Sequence, residues 1–344
     1  MVNSPRFWIF AALAGTGIAP LQAQTLGPDL RDRLAEWSRT AQRRAPGQWG
    51  VAIANESGRL LYGVEPQQML VPASTVKLFT TGFARTVLGG DARISTRVLG
   101  NGELDPATGV WNGTWSLEIN GDPSLENPSG NGPRLADLAR QLAGRGIRRL
   151  TGPLNVISRD GSVASAEYPS TWAARHRGRL FAPPVGALTL HENIVSLTVG
   201  PGARSGMVPE IVHDEPAGVR SLVTMRAKTV AGRRSRLRLN AREDGGWIIS
   251  GTIGTGARPR HFAAVATHPR AVLARAWATA LESAGIEWVE TDSNGPAHEA
   301  IEPYVLAEVN SPVFDSIAID VNRRSLNLGA ELMLQWAAVH AGPA

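Results

Sequence analysis

The 344-residue chain has no cysteine and, among 35 basic residues, only two lysines, Lys77 and Lys228. The missing cysteines exclude a disulfide framework, a thiolate zinc site and a cysteine nucleophile. They do not assign a compartment, because oxidising compartments also hold cysteine-free proteins. The seven histidines include no pair spaced four apart, so a helix-borne zinc site is not expected. The glycine-rich run Gly251-Thr252-Ile253-Gly254-Thr255-Gly256 lacks a phosphate-cradling lysine and reads as a turn between strands. Past the first two dozen residues no segment is long and apolar enough to span a membrane, so no transmembrane anchor is expected. The formal net charge of +5 is not gathered into one block. Its densest stretch, residues 233–242, places arginines around Leu237 and Leu239 and reads as one solvated strand face. No nucleic-acid motif accompanies the charge, so nucleic acid is not an expected partner.

The N-terminus has a recognisable pattern. Arg6 precedes an apolar stretch over residues 7–18, followed by Pro20 and by Leu21-Gln22-Ala23 before Gln24. A short basic region, a short apolar core and a small residue at a cleavage point make residues 1–23 a candidate export leader. Beyond it, Leu30, Leu34, Trp37 and Ala41 predict an amphipathic helix over 29–43. Residues 48–62 read as a hairpin turning at Asn55-Glu56-Ser57-Gly58, and 74–88 as a second helix with Val76, Phe79, Phe83 and Val87 on one stripe. From Gly89 onward, short β-like runs alternate with turn dipeptides, interrupted by one helix over 135–142. Helices return over 270–284, 313–322 and 330–340, the second of these started by Ser311-Pro312. The expected fold class is α/β (α+β). Residues 24–88 and 266–344 are expected to build one domain and 89–265 a large β-rich insertion.

The scarcity of lysine directs attention to Lys77. Arginine cannot give up its proton inside a protein, whereas a desolvated lysine can. Lys77 follows Ser74 by three residues in Pro72-Ala73-Ser74-Thr75-Val76-Lys77, and helix positions i and i+3 share a face. A serine hydroxyl becomes a nucleophile once a base takes its proton, and a lysine with a lowered pKa is such a base. Ser325-Leu326-Asn327, on a link between two predicted helices, offers a hydroxyl and an amide two positions apart. Read alone, that triplet is equally a helix cap.

Together, Ser-x-x-Lys at Ser74 and Ser-x-Asn at Ser325 resemble the first two motifs of the penicillin-binding protein and serine β-lactamase superfamily. Their separation of 251 positions, with a long β-rich insert between them, is similar to the D-alanyl-D-alanine carboxypeptidase/endopeptidase family of low-molecular-mass penicillin-binding proteins. Asn120-Gly121-Asp122-Pro123-Ser124-Leu125, Tyr168-Pro169-Ser170-Thr171-Trp172, Phe181-Ala182-Pro183 and the stretch 193–202 carry the same resemblance, which runs from about residue 30 to the end. The resemblance implies a serine β-lactamase/transpeptidase-like domain. Ser74 would be acylated, Lys77 would be its base, and Ser325 with Asn327 would relay the proton and position the substrate. It implies peptidoglycan stem peptides as substrates, β-lactams as acylating inhibitors and no cofactor. Asp122 is a candidate contact for a basic stem residue, or else a turn aspartate before proline. The third motif of the superfamily, Lys-Thr-Gly, does not follow Asn327, and Lys228-Thr229-Val230 reads as an exposed strand position. The chain is therefore expected to be a C-terminally incomplete member. A truncated, non-catalytic peptidoglycan- or penicillin-binding protein is the alternative.

Overall fold

The computed structural model describes residues 26–127, 132–292 and 302–342; the candidate leader lies outside them. The chain divides into two compact units, Met1–Ser74 and Thr75–Ala344.

In the first unit, helix α1 (Pro28–Arg44) opens with proline in its first turn, where the missing N–H costs nothing, and ends with Arg43 and Arg44 against the negative end of the helix dipole. The predicted hairpin follows as antiparallel strands Val51–Ala54 and Leu60–Val64. Val51 pairs with Val64 and Ile53 with Tyr62, and a register shift next to Ala54 leaves Leu60 half exposed. A bulge of this kind bends the strand and re-aims the side chains beyond it.

The second unit holds the β-rich region. Strand Ser95–Leu104 is central to a four-stranded sheet, paired with Trp111–Glu118 on one side and Tyr304–Asn310 on the other. A three-stranded sheet joins Arg260–Val265, Ile194–Gly200 and Glu210–Glu215. A further sheet is built around Trp247–Gly254, with Lys228–Val230 parallel to it and Ser235–Ala241 antiparallel. In the latter strand Arg236 and Arg238 are exposed around the buried Leu237, as the alternation predicts. Lys228 is exposed on its strand, as expected. The glycine run is mostly strand and not turn: residues 251–254 complete Trp247–Gly254 and only Thr255 and Gly256 turn, and a Cβ on Gly251 would stand 2.1 Å from the Arg236 carbonyl oxygen of the neighbouring strand. Only Gly lets the two backbones approach so closely.

Helices α2 (Val76–Leu88), α3 (Leu135–Gly144), α4 (Pro269–Ser283), α5 (Phe314–Arg324) and α6 (Asn327–Ala341) complete the unit. They serve three separate cores among the described residues, the third formed by Val185 with Leu328 and Leu332 of α6. Leu135, Leu138 and Leu142 of α3 pack with Leu273, Trp277 and Leu281 of α4 in the large core of the sheets. A smaller core lies among α2, α5 and α6, built from Ala84, Phe314, Ile317, Val321, Ala330 and Met333.

This packing shifts the boundary expected at residue 265. Residues 266–292 and 302–310 pack with the β-rich core, because Glu287–Val289 adds to Arg149–Thr151 and Tyr304–Asn310 adds to Ser95–Leu104. Ser311 also departs from its expected role. It is fully buried, and its hydroxyl accepts the Ile94 N–H at 2.9 Å rather than capping a helix, so α5 begins at Phe314.

Candidate active site

Ser74 lies in the 3-10 turn Ala73–Thr75, which runs directly into α2. Lys77 is the second residue of α2, and its side chain is buried. Loss of water contact holds the Lys77 ammonium below its ordinary value of 10.5. Of the predicted apolar stripe of α2 only Val87 packs against the small helical core, while Val76, Phe79 and Phe83 are exposed. Phe79 is 77% exposed, Phe83 is 55% exposed, and Lys77, Thr81 and Ala84 point inward. The Thr81 hydroxyl donates to the Lys77 carbonyl at 2.8 Å and accepts from the Asn322 amide at 3.0 Å, tying the first turns of α2 to α5.

Across 248 positions of sequence, Lys77 Nζ donates to Ser325 Oγ at 3.4 Å. Ser325 ends α5 in the left-handed conformation, φ 56° and ψ 41°, and α6 starts two residues later. The link read from the sequence as extended is thus a tight reversal. A serine held there costs on the order of 1 kcal/mol, which the surrounding contacts must offset. The next residue, Leu326, packs against the small helical core. Gly329 permits this, since a Cβ there would lie 2.5 Å from Val321 Cγ2 and 3.1 Å from Leu326 Cδ2. Asn327 is the first residue of α6, and its amide donates to the Phe181 carbonyl at 2.7 Å.

Asp122 takes the turn role. It is fully buried, and Oδ1 accepts from the Ser124 N–H at 2.7 Å and the Ser124 hydroxyl at 2.6 Å. A carboxylate sealed in this way is not placed to meet a substrate residue, which corrects the cleft position considered for it. Burial pushes its carboxyl up to about 6, against the opposing pull of the two bonds from Ser124. The folded chain therefore keeps this proton to higher pH than the unfolded chain, whose carboxyl titrates near 3.8. The position costs nothing below both values. Stability falls as pH rises between them, and above 6 a cost of roughly 3 kcal/mol persists. Asp122→Asn cannot ionise, so its stability relative to the parent should improve by up to about 3 kcal/mol between pH 4 and pH 7.5. Urea midpoints at the two pH values measure this, and a difference that does not change with pH would refute it.

Sequence reading missed one further group. Glu192 is 3% exposed and receives both arms of Arg324, the residue before Ser325: Nη1 on Oε1 at 2.5 Å and Nη2 on Oε2 at 2.8 Å. Three consecutive non-glycine residues there are left-handed: His191 (φ 49°), Glu192 (φ 58°) and Asn193 (φ 53°). Their neighbours over-determine the turn. The Asn193 amide donates to the Pro184 and Leu188 carbonyls at 3.0 and 3.1 Å, and the His191 N–H donates to the Leu125 carbonyl at 2.9 Å. The only signal in the sequence was a polar triplet, His191-Glu192-Asn193, directly before a strand.

With this geometry the chain can be set beside known proteins. Two structures of penicillin-binding protein 4 from Haemophilus influenzae share its fold. One aligns with a TM-score of 0.59 over 83% of this chain and 61% of its own length, at 17% identity. The other, solved with a β-lactam, aligns with a TM-score of 0.58 over 88% and 64% at the same identity. Among curated sequences, a D-alanyl-D-alanine carboxypeptidase of Actinomadura sp. (strain R39) is 24% identical over 296 residues, 83% of this chain. The chain spans about half the length of that relative, 53%. These are penicillin-binding proteins and their carboxypeptidase relatives, the class to which the mixed α/β fold and the Lys77–Ser325 pair point. The chain itself belongs to the D-Ala-D-Ala carboxypeptidase 3 (S13) family, whose model matches residues 33–344.

Proposed function

We propose that the chain acts as a serine-type D-Ala-D-Ala carboxypeptidase/endopeptidase on peptidoglycan stem peptides, through an acyl-enzyme on Ser74. The observation that carries this reading is the buried amine of Lys77 against the Ser325 hydroxyl. Neutral Lys77 takes the proton of Ser74 as Oγ bonds to the carbonyl carbon of the penultimate D-alanine. The positive end of the α2 dipole favours the developing alkoxide. As the tetrahedral species collapses, the C–N bond breaks and the departing amine of the terminal D-alanine receives a proton from Lys77 through Ser325. Water then attacks the ester, and its proton returns by the same route, releasing the shortened peptide and free Ser74. A crosslink in place of the terminal D-alanine gives the endopeptidase reaction. A β-lactam leaves its acyl group on the same oxygen. Export, carried by residues 1–23, places the reaction at the cell wall. Among the described residues no helix is long and apolar enough to cross a membrane.

The test is covalent. After incubation with a fluorescent penicillin, the intact mass should rise by one acyl group, mapped by peptide digestion to Ser74 and absent from Ser74→Ala. A cooperatively folded chain that takes no label overturns the enzyme reading and favours a non-catalytic peptidoglycan- or penicillin-binding protein.

A further inference from the structure

We propose that Glu192 and Arg324 are positioning residues for Ser325: the left-handed turn of the β-rich region holds the Glu192 carboxylate, which grips Arg324 and so sets the neighbouring hydroxyl against Lys77. The catalytic consequence rests on the function proposed above, while the positioning itself does not.

Most ion pairs at protein surfaces do little, because both side chains remain solvated and mobile. This pair differs in three respects. The Glu192 side chain is only 4% exposed, so its charge has lost water and depends on protein donors. Both Arg324 nitrogens engage it, and a two-pronged guanidinium–carboxylate contact restricts orientation as well as distance. The backbone on each side is strained, left-handed at 191–193 and again at Ser325. Strain of this kind persists only where the surroundings over-determine it, and it gathers at functional sites.

The grip also has a counterpart. Arg324 anchors the residue before Ser325 to Glu192, and Asn327 anchors the residue two after it to the Phe181 carbonyl. Both anchors belong to the β-rich region between the two sequence motifs, so the Ser325 turn is held from both ends by that region. Asp320, one turn earlier on α5, also accepts from Arg324 at 2.9 Å, which keeps the guanidinium extended along its helix. Asn127 donates to Glu192 at 3.4 Å from the opposite side. In a chain with a long insert between its motifs, this assigns the insert a part in ordering the catalytic hydroxyl.

The two lysines make a direct test possible. With ¹³C- and ¹⁵N-labelled lysine the protein shows two side-chain resonances, and exposed Lys228 serves as the internal reference. The informative variant is Glu192→Gln. If the pair acted only through its charge, losing a carboxylate would lower the pKa of Lys77. If it acts by position, the freed Ser325 turn admits water around the amine and the pKa rises toward its ordinary value. A rise is expected, together with at least a tenfold slower labelling by penicillin. Arg324→Gln should match it, and the double variant should be no slower than either single one, since both remove the same grip. Arg324→Lys keeps the charge but loses the fork, and supplies the same readout should Glu192→Gln fold poorly. A Lys77 resonance that titrates as in the parent, or shifts downward in Glu192→Gln, overturns the proposal, as does labelling within twofold of the parent. A parent that takes no label removes the proposed function, and the Lys77 resonance still decides the positioning.

Discussion

Replacing Lys77 by alanine is expected to slow acylation of Ser74 by a fluorescent penicillin about 10²–10⁴-fold, the usual contribution of a positioned general base. The reason is burial. Lys77 is enclosed on the inner face of α2, and loss of hydration disfavours its ammonium form. The group therefore supplies a neutral amine at lower pH than a solvated lysine. Acylation by the parent should rise with pH through the Lys77 pKa, which lies below 10.5, and level off above it. Lys77→Arg should be no better than alanine, because a guanidinium keeps its proton throughout. Lys77→Met separates chemistry from folding. The folded state releases the lysine proton more readily than the unfolded state. Below the unfolded value the amine thus opposes folding, and that opposition weakens as pH rises toward it from the folded value. Methionine carries no such penalty, so Lys77→Met should be at least as stable as the parent at pH 7 and still acylate poorly. Second-order labelling rates from pH 6 to pH 10 measure this. A Lys77→Ala variant within about threefold of the parent would remove lysine as the base.

Elements with a strong period were legible in the sequence. Leu30, Leu34, Trp37 and Ala41 marked α1, and the helix predicted over 135–142 became α3 (Leu135–Gly144). The rarity of lysine and the long gap to Ser325 led to a pair that the fold brings to 3.4 Å. What stayed illegible shares one physical cause. A periodic stripe shows that a helix has an apolar face but not what lies against it, so Val76, Phe79 and Phe83 of α2 read as inward and stand outward. Asp122 beside proline looks the same in sequence whether its carboxylate meets solvent or its own turn. The Glu192–Arg324 pair joins residues 132 positions apart, and neither is unusual in a chain rich in arginine. The end of the β-rich core was misjudged because α4 has an ordinary helical period. Only the sheet partners of the strands after it reveal which core it serves.

That reassigned helix carries the largest stability effect. Trp277→Ala is expected to destabilise the chain by about 3–5 kcal/mol, the range for truncating a buried aromatic side chain. Trp277 is fully buried on α4 and stands 6.4 Å, centroid to centroid, from Trp115 of strand Trp111–Glu118. Trp115 in turn meets Trp288 edge-on at 5.9 Å. The other two tryptophans are anchored by hydrogen bonds, Trp115 to the Thr151 carbonyl at 3.1 Å and Trp288 to the Gly152 carbonyl at 3.0 Å. The Trp277 indole N–H has no partner among the described residues, so its contribution is contact area and not hydrogen bonding. Trp277→Phe keeps most of that area and removes an unsatisfied donor. Its expected cost is accordingly below about 1.5 kcal/mol. Urea unfolding followed by near-ultraviolet circular dichroism distinguishes the two variants. Equal losses for Phe and Ala would mean that the N–H has a partner after all. A loss under about 1 kcal/mol for Ala would return α4 to the periphery of the β-rich core.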